Sequence, residues 1–216
     1  MLYVQCFTFN AFAENTYVVY DETNTCVVVD PGCYELHEQE ELSNFIQTRA
    51  LKVAHLVNTH AHIDHILGNQ YVRATYGVPL ALHHQEVPIL RAAIEYAPIY
   101  GFTAYRPTEA ERLLTAGDVI QLGNTQLSIL HVPGHSPGHI ALYSQRDALC
   151  LSGDVLFRGA IGRTDLPGGD RMLLLQSLHQ QLFSLENKVF IYPGHGPSTT
   201  IGVEKKDNFQ ANAAST

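Results

Sequence analysis

The sequence predicts a mixed α/β fold in which two β-sheets face each other and helices cover both outer faces. Three observations carry that prediction. Short apolar runs of strand length alternate with helix-period segments in both halves of the chain. Four of those runs end in a tight loop of small residues that leads to a His or an Asp. No Pro/Gly/Ser-rich linker interrupts the chain, so residues 1–216 read as a single domain.

Strands are expected near 3–9, 15–20 and 26–30, the last closing at the Asp30-Pro31-Gly32 turn. Residues 35–50 have helical periodicity, with Leu36, Leu42, Phe45 and Ile46 as the apolar set. Val53–Val57 reads as a short buried strand. A helix is expected from Asp64 or His65 to about Tyr76, then a strand at Leu80–Leu82. Residues 84–116 read as helix broken by Pro88, Pro98, Gly101 and Pro107. Further strands are expected near 118–122, 126–132, 139–144 and 148–152. Asp170 is placed to cap a helix running to about Leu185, with Leu174, Leu175, Leu178, Leu182 and Leu185 as its buried stripe. Val189–Tyr192 reads as the last core strand, 201–210 as a final helix and Ala211–Thr216 as a loose tail.

Composition narrows the function. Thirteen Lys+Arg against 21 Asp+Glu give a formal net charge of −8, with no basic run. That argues against nucleic acid as a partner and against an anionic membrane surface. No stretch reaches the roughly 20 apolar residues of a membrane span, and the N-terminus lacks the pattern of a signal peptide. Cys6, Cys26, Cys33 and Cys150 form no C-x-x-C pair and read as free thiols of a reducing cytoplasm.

The four loops carry the chemistry. They are Thr59-His60-Ala61-His62-Ile63-Asp64-His65, Pro133-Gly134-His135, Ser152-Gly153-Asp154 and Pro193-Gly194-His195. In extended chain, His60 and His62 project to the same side. Asp64 and His65 follow where a helix begins. Two ligand pairs within six residues suit two neighbouring ions: His60 and His62 on one, Asp64 and His65 on the other. His135 and His195 supply one more each, and the Asp154 carboxylate can bridge. Imidazole and carboxylate without thiolate suit zinc first, with iron or manganese as alternatives, and spare positions mark a catalytic site. His139 is a candidate to orient a ligand, and Asp30 reads as a turn-forming, ligand-orienting carboxylate. Arg163 either meets a substrate carboxylate or pairs internally with Asp165. Residues 84–106, with Tyr96, Tyr100, Phe102 and Tyr105, form a lid, a dimer contact or a helix packed on the core.

The chain resembles the metallo-β-lactamase superfamily in Asp30-Pro31-Gly32, the Thr59–His65 motif, His135, Asp154 and His195, in that order. The resemblance implies the four-layer αβ/βα sandwich. Within the superfamily it is similar to type II glyoxalases, the hydroxyacylglutathione hydrolases, and more so to their short single-domain relatives. Gly159–Asp170 and Tyr192–Gly202 carry that likeness. The sequence ends about 20 residues after His195 and so is expected to lack the helical domain with which longer relatives grip glutathione.

The activity so implied is hydrolysis of a small-molecule 2-hydroxyacyl thioester, resembling S-lactoylglutathione, by hydroxide held between two divalent cations. Asp64 and Asp154 are the catalytic carboxylates, and the protein is a monomer or homodimer. Two cations lower the pKa of a shared water towards neutrality and stabilise the oxyanion. A thiolate leaving group, with a pKa of about 8.5, departs without a dedicated acid. The alternatives are a persulfide dioxygenase with one iron on two His and one carboxylate, and a metal-binding protein without hydrolytic activity.

Overall fold

The structure, a computed structural model, describes residues 1–212. The chain forms two compact units. One holds Met1–Leu114 with Ile120–Gln126; the other holds Thr115–Val119 and the chain from Leu127 onward.

The first unit is built on a six-stranded sheet in the order β1-β2-β3-β4-β5-β6. Strands β1 (Tyr3–Phe9), β2 (Glu14–Tyr20) and β3 (Thr25–Val29) form an antiparallel meander. Strands β4 (Lys52–Val57), β5 (Leu80–His83) and β6 (Arg112–Leu114) then add parallel to β3. The carboxyl ends of β3 and β4 therefore lie at the same end of the sheet, where open α/β sheets bind ligands. Asp30 follows β3 and the His60–His65 loop follows β4. The helices are α1 (Leu36–Thr48), α2 (Ile63–Ile66), α3 (Asn69–Tyr76) and α4 (Val87–Tyr96). They bury Leu42, Ile46, Ile66, Val72 and Leu90 against Val18, Val28, Leu56 and Leu80 of the sheet.

The second sheet has the order β14-β13-β10-β9-β8-β7. Its strands are β7 (Val119–Leu122), β8 (Thr125–His131), β9 (Ile140–Ser144), β10 (Leu149–Gly153), β13 (Phe190–Pro193) and β14 (Thr199–Thr200). Strand β9 is antiparallel to both β8 and β10, and β13 is parallel to β10. So β8, β10 and β13 all run one way, and their carboxyl ends deliver His135, Asp154 and His195. Helices α5 (Arg171–Ser177), α6 (Ile201–Asp207) and α7 (Phe209–Asn212) accompany this sheet. Leu174, Leu178, Leu182 and Ile201 pack with Val132, Cys150 and Ile191. Asp170 caps α5 as expected, accepting from the Leu173 N–H at 3.0 Å.

Several elements differ from the sequence expectation. Leu36 is 70% exposed, not part of the α1 stripe. It lies six residues before Leu42, about 240° round the helix. The helix expected from 64 or 65 to 76 is two helices, interrupted at Leu67-Gly68. There the Gly68 N–H donates to Pro31 O at 2.7 Å. A Cβ on Gly68 would stand 2.5 Å from Cys33 Sγ, so the approach of the Pro31 loop requires glycine. Residues 112–114, expected as the end of the broken helical stretch, form the edge strand β6. A two-stranded hairpin, β11 (Leu156–Phe157) and β12 (Ala160–Ile161), follows Asp154 and was not expected. The α5 helix continues as a π-helical turn over Leu178–Leu182. Of the expected tail, Ala211 is buried and its carbonyl pairs with His179 Nε2 at 3.1 Å; residues 213–216 lie outside the described residues.

Segment 84–106 packs on the first unit's core through Leu90, Ala93, Ala97 and Phe102. Tyr34 stacks edge-on against Phe102 and its hydroxyl accepts from the Ala104 N–H at 2.9 Å.

Asp21, at the end of β2, ties the β2–β3 turn to Asn124 and Thr125. Its carboxylate accepts from Thr23 N (2.9 Å), Thr23 Oγ1 (2.5 Å), Asn124 N (2.7 Å) and Thr125 Oγ1 (3.4 Å). Burial pushes this carboxyl up, but those hydrogen bonds outweigh burial and hold it below the usual carboxylate range. The stability it contributes is therefore full above the unfolded-chain pKa of about 3.9 and is lost as pH falls through the folded value. Asp21→Asn is expected to lower unfolding stability at pH 7 by about 1–3 kcal/mol. The gap from wild type should narrow towards pH 3. Urea midpoints across pH check this; a gap independent of pH contradicts it.

Candidate metal centre

The loop after β4 is held by polar side chains on both flanks. The Asn58 N–H donates to Ala81 O (3.0 Å) and Asn58 Nδ2 to His65 O (2.9 Å). Asn69 Nδ2 donates to Asn58 Oδ1 at 2.7 Å. The Ala61 N–H, between His60 and His62, donates to Glu86 Oε2 at 2.8 Å. This bends the chain so that the His60 ring lies 4.7 Å from His62 and 4.2 Å from His65, centroid to centroid. His60 and His65 are fully buried; His62 and Asp64 are half-buried.

Asp30 sets the orientation of two of these rings. Its backbone has φ +49°, a left-handed conformation that Asp tolerates better than most residues. Its Oδ1 accepts from the Thr59 N–H and its Oδ2 from the Thr59 hydroxyl, each at 2.6 Å. With that proton committed, Thr59 Oγ1 accepts from His60 Nδ1 at 3.0 Å, and the lone pair of His60 stands on Nε2. His65 Nδ1 lies 3.2 Å from Asp30 Oδ2 and 3.8 Å from Glu14 Oε1. The nearer Asp30 carboxylate favours a proton on Nδ1 and leaves Nε2 of His65 to ligate. Asp30 thus orients ligands, although one donor atom each from Asp30, His60 and His65 lies within 4.8 Å of the others. Asp30 faces the Nδ1 edges of the rings, opposite the lone pairs.

In the second unit the same logic recurs. The Nδ1–H of His135 donates to Arg163 O at 2.7 Å, so Nε2 carries the lone pair. That Nε2 is 3.7 Å from Asp154 Oδ2, and His195 Nε2 is 3.5 Å from the same oxygen. The Asp154 N–H donates to His139 Nε2 at 3.0 Å, which uses the His139 lone pair. His139 therefore positions Asp154 through its backbone.

These spacings fit a metal. Two ligand atoms about 2.1 Å from a tetrahedral ion stand about 3.4 Å apart, whereas a hydrogen bond would draw them to about 2.9 Å. The His135–Asp154 and His195–Asp154 separations match the first value, as does 3.6 Å between His65 Nε2 and Asp64 Oδ2. Neutral imidazoles with tautomers fixed from behind, beside carboxylates and without thiolate, are a donor set for divalent zinc, iron or manganese.

The Arg163 guanidinium pairs with Asp165, Nε to Oδ1 at 2.7 Å and Nη2 to Oδ2 at 2.8 Å, on the exposed surface. The internal alternative therefore describes this side chain, and its carbonyl is what serves the site. Cys33 is buried, and burial pushes its thiol well up, which is unsuited to a nucleophile. Sequence reasoning missed Glu14 and Glu86. Burial pushes the Glu14 carboxyl well above its ordinary value, with His65 opposing and Asp30 reinforcing. A Glu next to Val or Asn carries no local sign that folding will bury it; only its tertiary partners reveal the role.

Comparison with known proteins places the chain in a family. The family profile described as Metallo-beta-lactamase superfamily matches residues 10–195. Hydroxyacylglutathione hydrolase GloC of Haemophilus influenzae is 33% identical over 207 residues, covering 95% of this chain and 96% of that protein. Among solved structures, TTHA1623 in a di-iron-bound form is 37% identical with a TM-score of 0.86, covering 95% of this chain and 99% of that one. The BLEG-1 B3 metallo-beta-lactamase is 36% identical with a TM-score of 0.85, covering 97% and 98%. The fold is the metallo-beta-lactamase fold, mixed α/β with sheets flanked by helices. The chain belongs to the metallo-beta-lactamase superfamily, as a metal-dependent hydrolase.

Proposed function

We propose that the two ligand sets serve one dinuclear centre that hydrolyses 2-hydroxyacyl thioesters. In this reading His60, His62 and His135 hold one cation, Asp64, His65 and His195 hold the other, and Asp154 bridges. The observation that carries it is the single oxygen of Asp154 at matched ligand spacing from both His135 and His195. The near full-length likeness to a hydroxyacylglutathione hydrolase supports a thioester as the bond cleaved. Bound cations would supply a nucleophilic hydroxide near neutral pH and stabilise the developing oxyanion.

The chain's own groups do the rest. Asp30 and Thr59 keep His60 and His65 neutral at Nε2. Arg163 O does the same for His135, and His139 fixes the backbone of Asp154. Asp64, half-buried, is the carboxylate of the first unit's loop placed to accept or return a proton. A thiolate leaves without further protonation, so thioesters suit this residue set better than amides.

The test is hydrolysis of S-lactoylglutathione by metal-loaded protein, run beside a β-lactam and beside oxygen uptake with glutathione persulfide. Thioester turnover with kcat/KM above about 10⁴ M⁻¹s⁻¹ supports the reading. Activity confined to the lactam or to persulfide oxidation overturns it.

A further inference from the structure

We infer that Glu204 is a positioning residue for the second unit's metal ligands, acting through the β11–β12 hairpin and the segment after His195. The inference rests on the dinuclear reading above. Glu204, on α6, is 1% exposed and lies outside the ligand set. Its Oε1 accepts from the Thr199 hydroxyl at 2.6 Å. Its Oε2 accepts from the Gly159 N–H and from Asn208 Nδ2, each at 2.8 Å. One buried carboxylate thus joins the β11–β12 turn to the residues on both flanks of its own helix.

Thr199 and Gly159 each lead to a ligand. Thr199 lies four residues after His195. Gly159 immediately precedes β12, and the next residues are held to the same C-terminal segment: Asn208 Nδ2 donates to Ala160 O (3.0 Å), and the Ile161 N–H to Gln210 Oε1 (3.2 Å). Gly162 follows, packed so closely that a Cβ there would stand 1.9 Å from Asp154 O and 3.1 Å from His135 Nδ1. Arg163 comes next, and its carbonyl takes the His135 proton. The C-terminal segment therefore fixes the loop that presses on Asp154 and orients His135. A displacement of that loop by a fraction of an ångström would change ligand spacing directly, and disturbed outer-sphere partners typically cost 10–100-fold in metal affinity.

Glu204→Ala is expected to weaken cobalt binding about 10–100-fold in competition with a chelator, and to alter the visible spectrum of the cobalt protein. Glu204→Gln should recover most of the affinity, because its carbonyl can still accept from Gly159 and Asn208 while Thr199 turns to accept from the amide. Gln210→Ala, a surface change that releases only the Ile161 N–H, should show a smaller loss and keeps the test open if Glu204→Ala does not fold. Asp21→Asn is the control for general destabilisation and should bind cobalt as wild type. Wild-type affinity and spectrum in folded Glu204→Ala or in Gln210→Ala overturn the inference, as does equal loss in Asp21→Asn. Wild-type protein that takes up no cobalt overturns the dinuclear reading and this inference with it.

Discussion

Asp154→Ala is expected to abolish tight binding of two ions and to lower kcat/KM for thioester hydrolysis by at least about 10³-fold. The Asp154 oxygen lies 3.7 Å from His135 Nε2 and 3.5 Å from His195 Nε2, and it carries the negative charge of the second unit's ligand set. Alanine removes that charge and the ligand that joins the two imidazoles. The backbone should hold, because His139 Nε2 accepts from the residue-154 N–H whatever the side chain. Loss of function with little change in melting temperature therefore follows. Asp154→Asn, equal in shape but neutral, should retain weaker binding. Metal analysis, chelator competition and S-lactoylglutathione turnover check the pair; unchanged turnover in Asp154→Ala contradicts the assignment.

The second large effect is expected at Asp30, where one carboxylate controls two ligands. In Asp30→Ala the Thr59 N–H and the Thr59 hydroxyl lose their shared acceptor, and His65 Nδ1 loses the carboxylate 3.2 Å away, in a buried setting. Each Thr59 donor left unsatisfied should cost about 1–3 kcal/mol of stability. Asp30→Asn separates charge from shape. Asn tolerates the φ of +49° as well as Asp does, and its carbonyl can still accept from the Thr59 N–H. Its amide then faces Thr59 Oγ1 and must donate to it. The Thr59 hydroxyl turns to donate to His60 Nδ1, and the His60 proton moves to Nε2, where the metal should bind. Metal affinity should fall about 10–100-fold while the fold persists. Chelator competition together with the imidazole nitrogen resonances checks both halves. Wild-type affinity in Asp30→Asn would show that the Asp30–Thr59–His60 chain does not set the tautomer.

The sheets were legible in the sequence because their strands are short apolar runs with small-residue loops at the carboxyl ends. The ligand-bearing loops were legible for the same reason: Pro-Gly-His and Ser-Gly-Asp each terminate such a run. Other features depended on partners distant in sequence. The break at Gly68 follows from the approach of Pro31 and Cys33, which no helical periodicity records. Strand β6 forms because β5 offers it an edge; Arg112-Leu113-Leu114 has no alternation of its own. Leu36 fits an apolar list but not the angular position of Leu42 and Ile46. At the site, ligands announce themselves by residue type, whereas their supports do not. Glu14, Glu86 and Glu204 look like surface glutamates until folding buries them beside an imidazole, a ligand-loop amide or the β11–β12 hairpin. Arg163 matters through its carbonyl, a group that every residue carries.

The most direct test is the metal-to-protein ratio of purified, extensively dialysed protein, read by plasma mass spectrometry beside its thioester turnover. Two zinc, iron or manganese ions per chain in active protein are predicted. One ion or none in fully active protein would contradict a dinuclear centre.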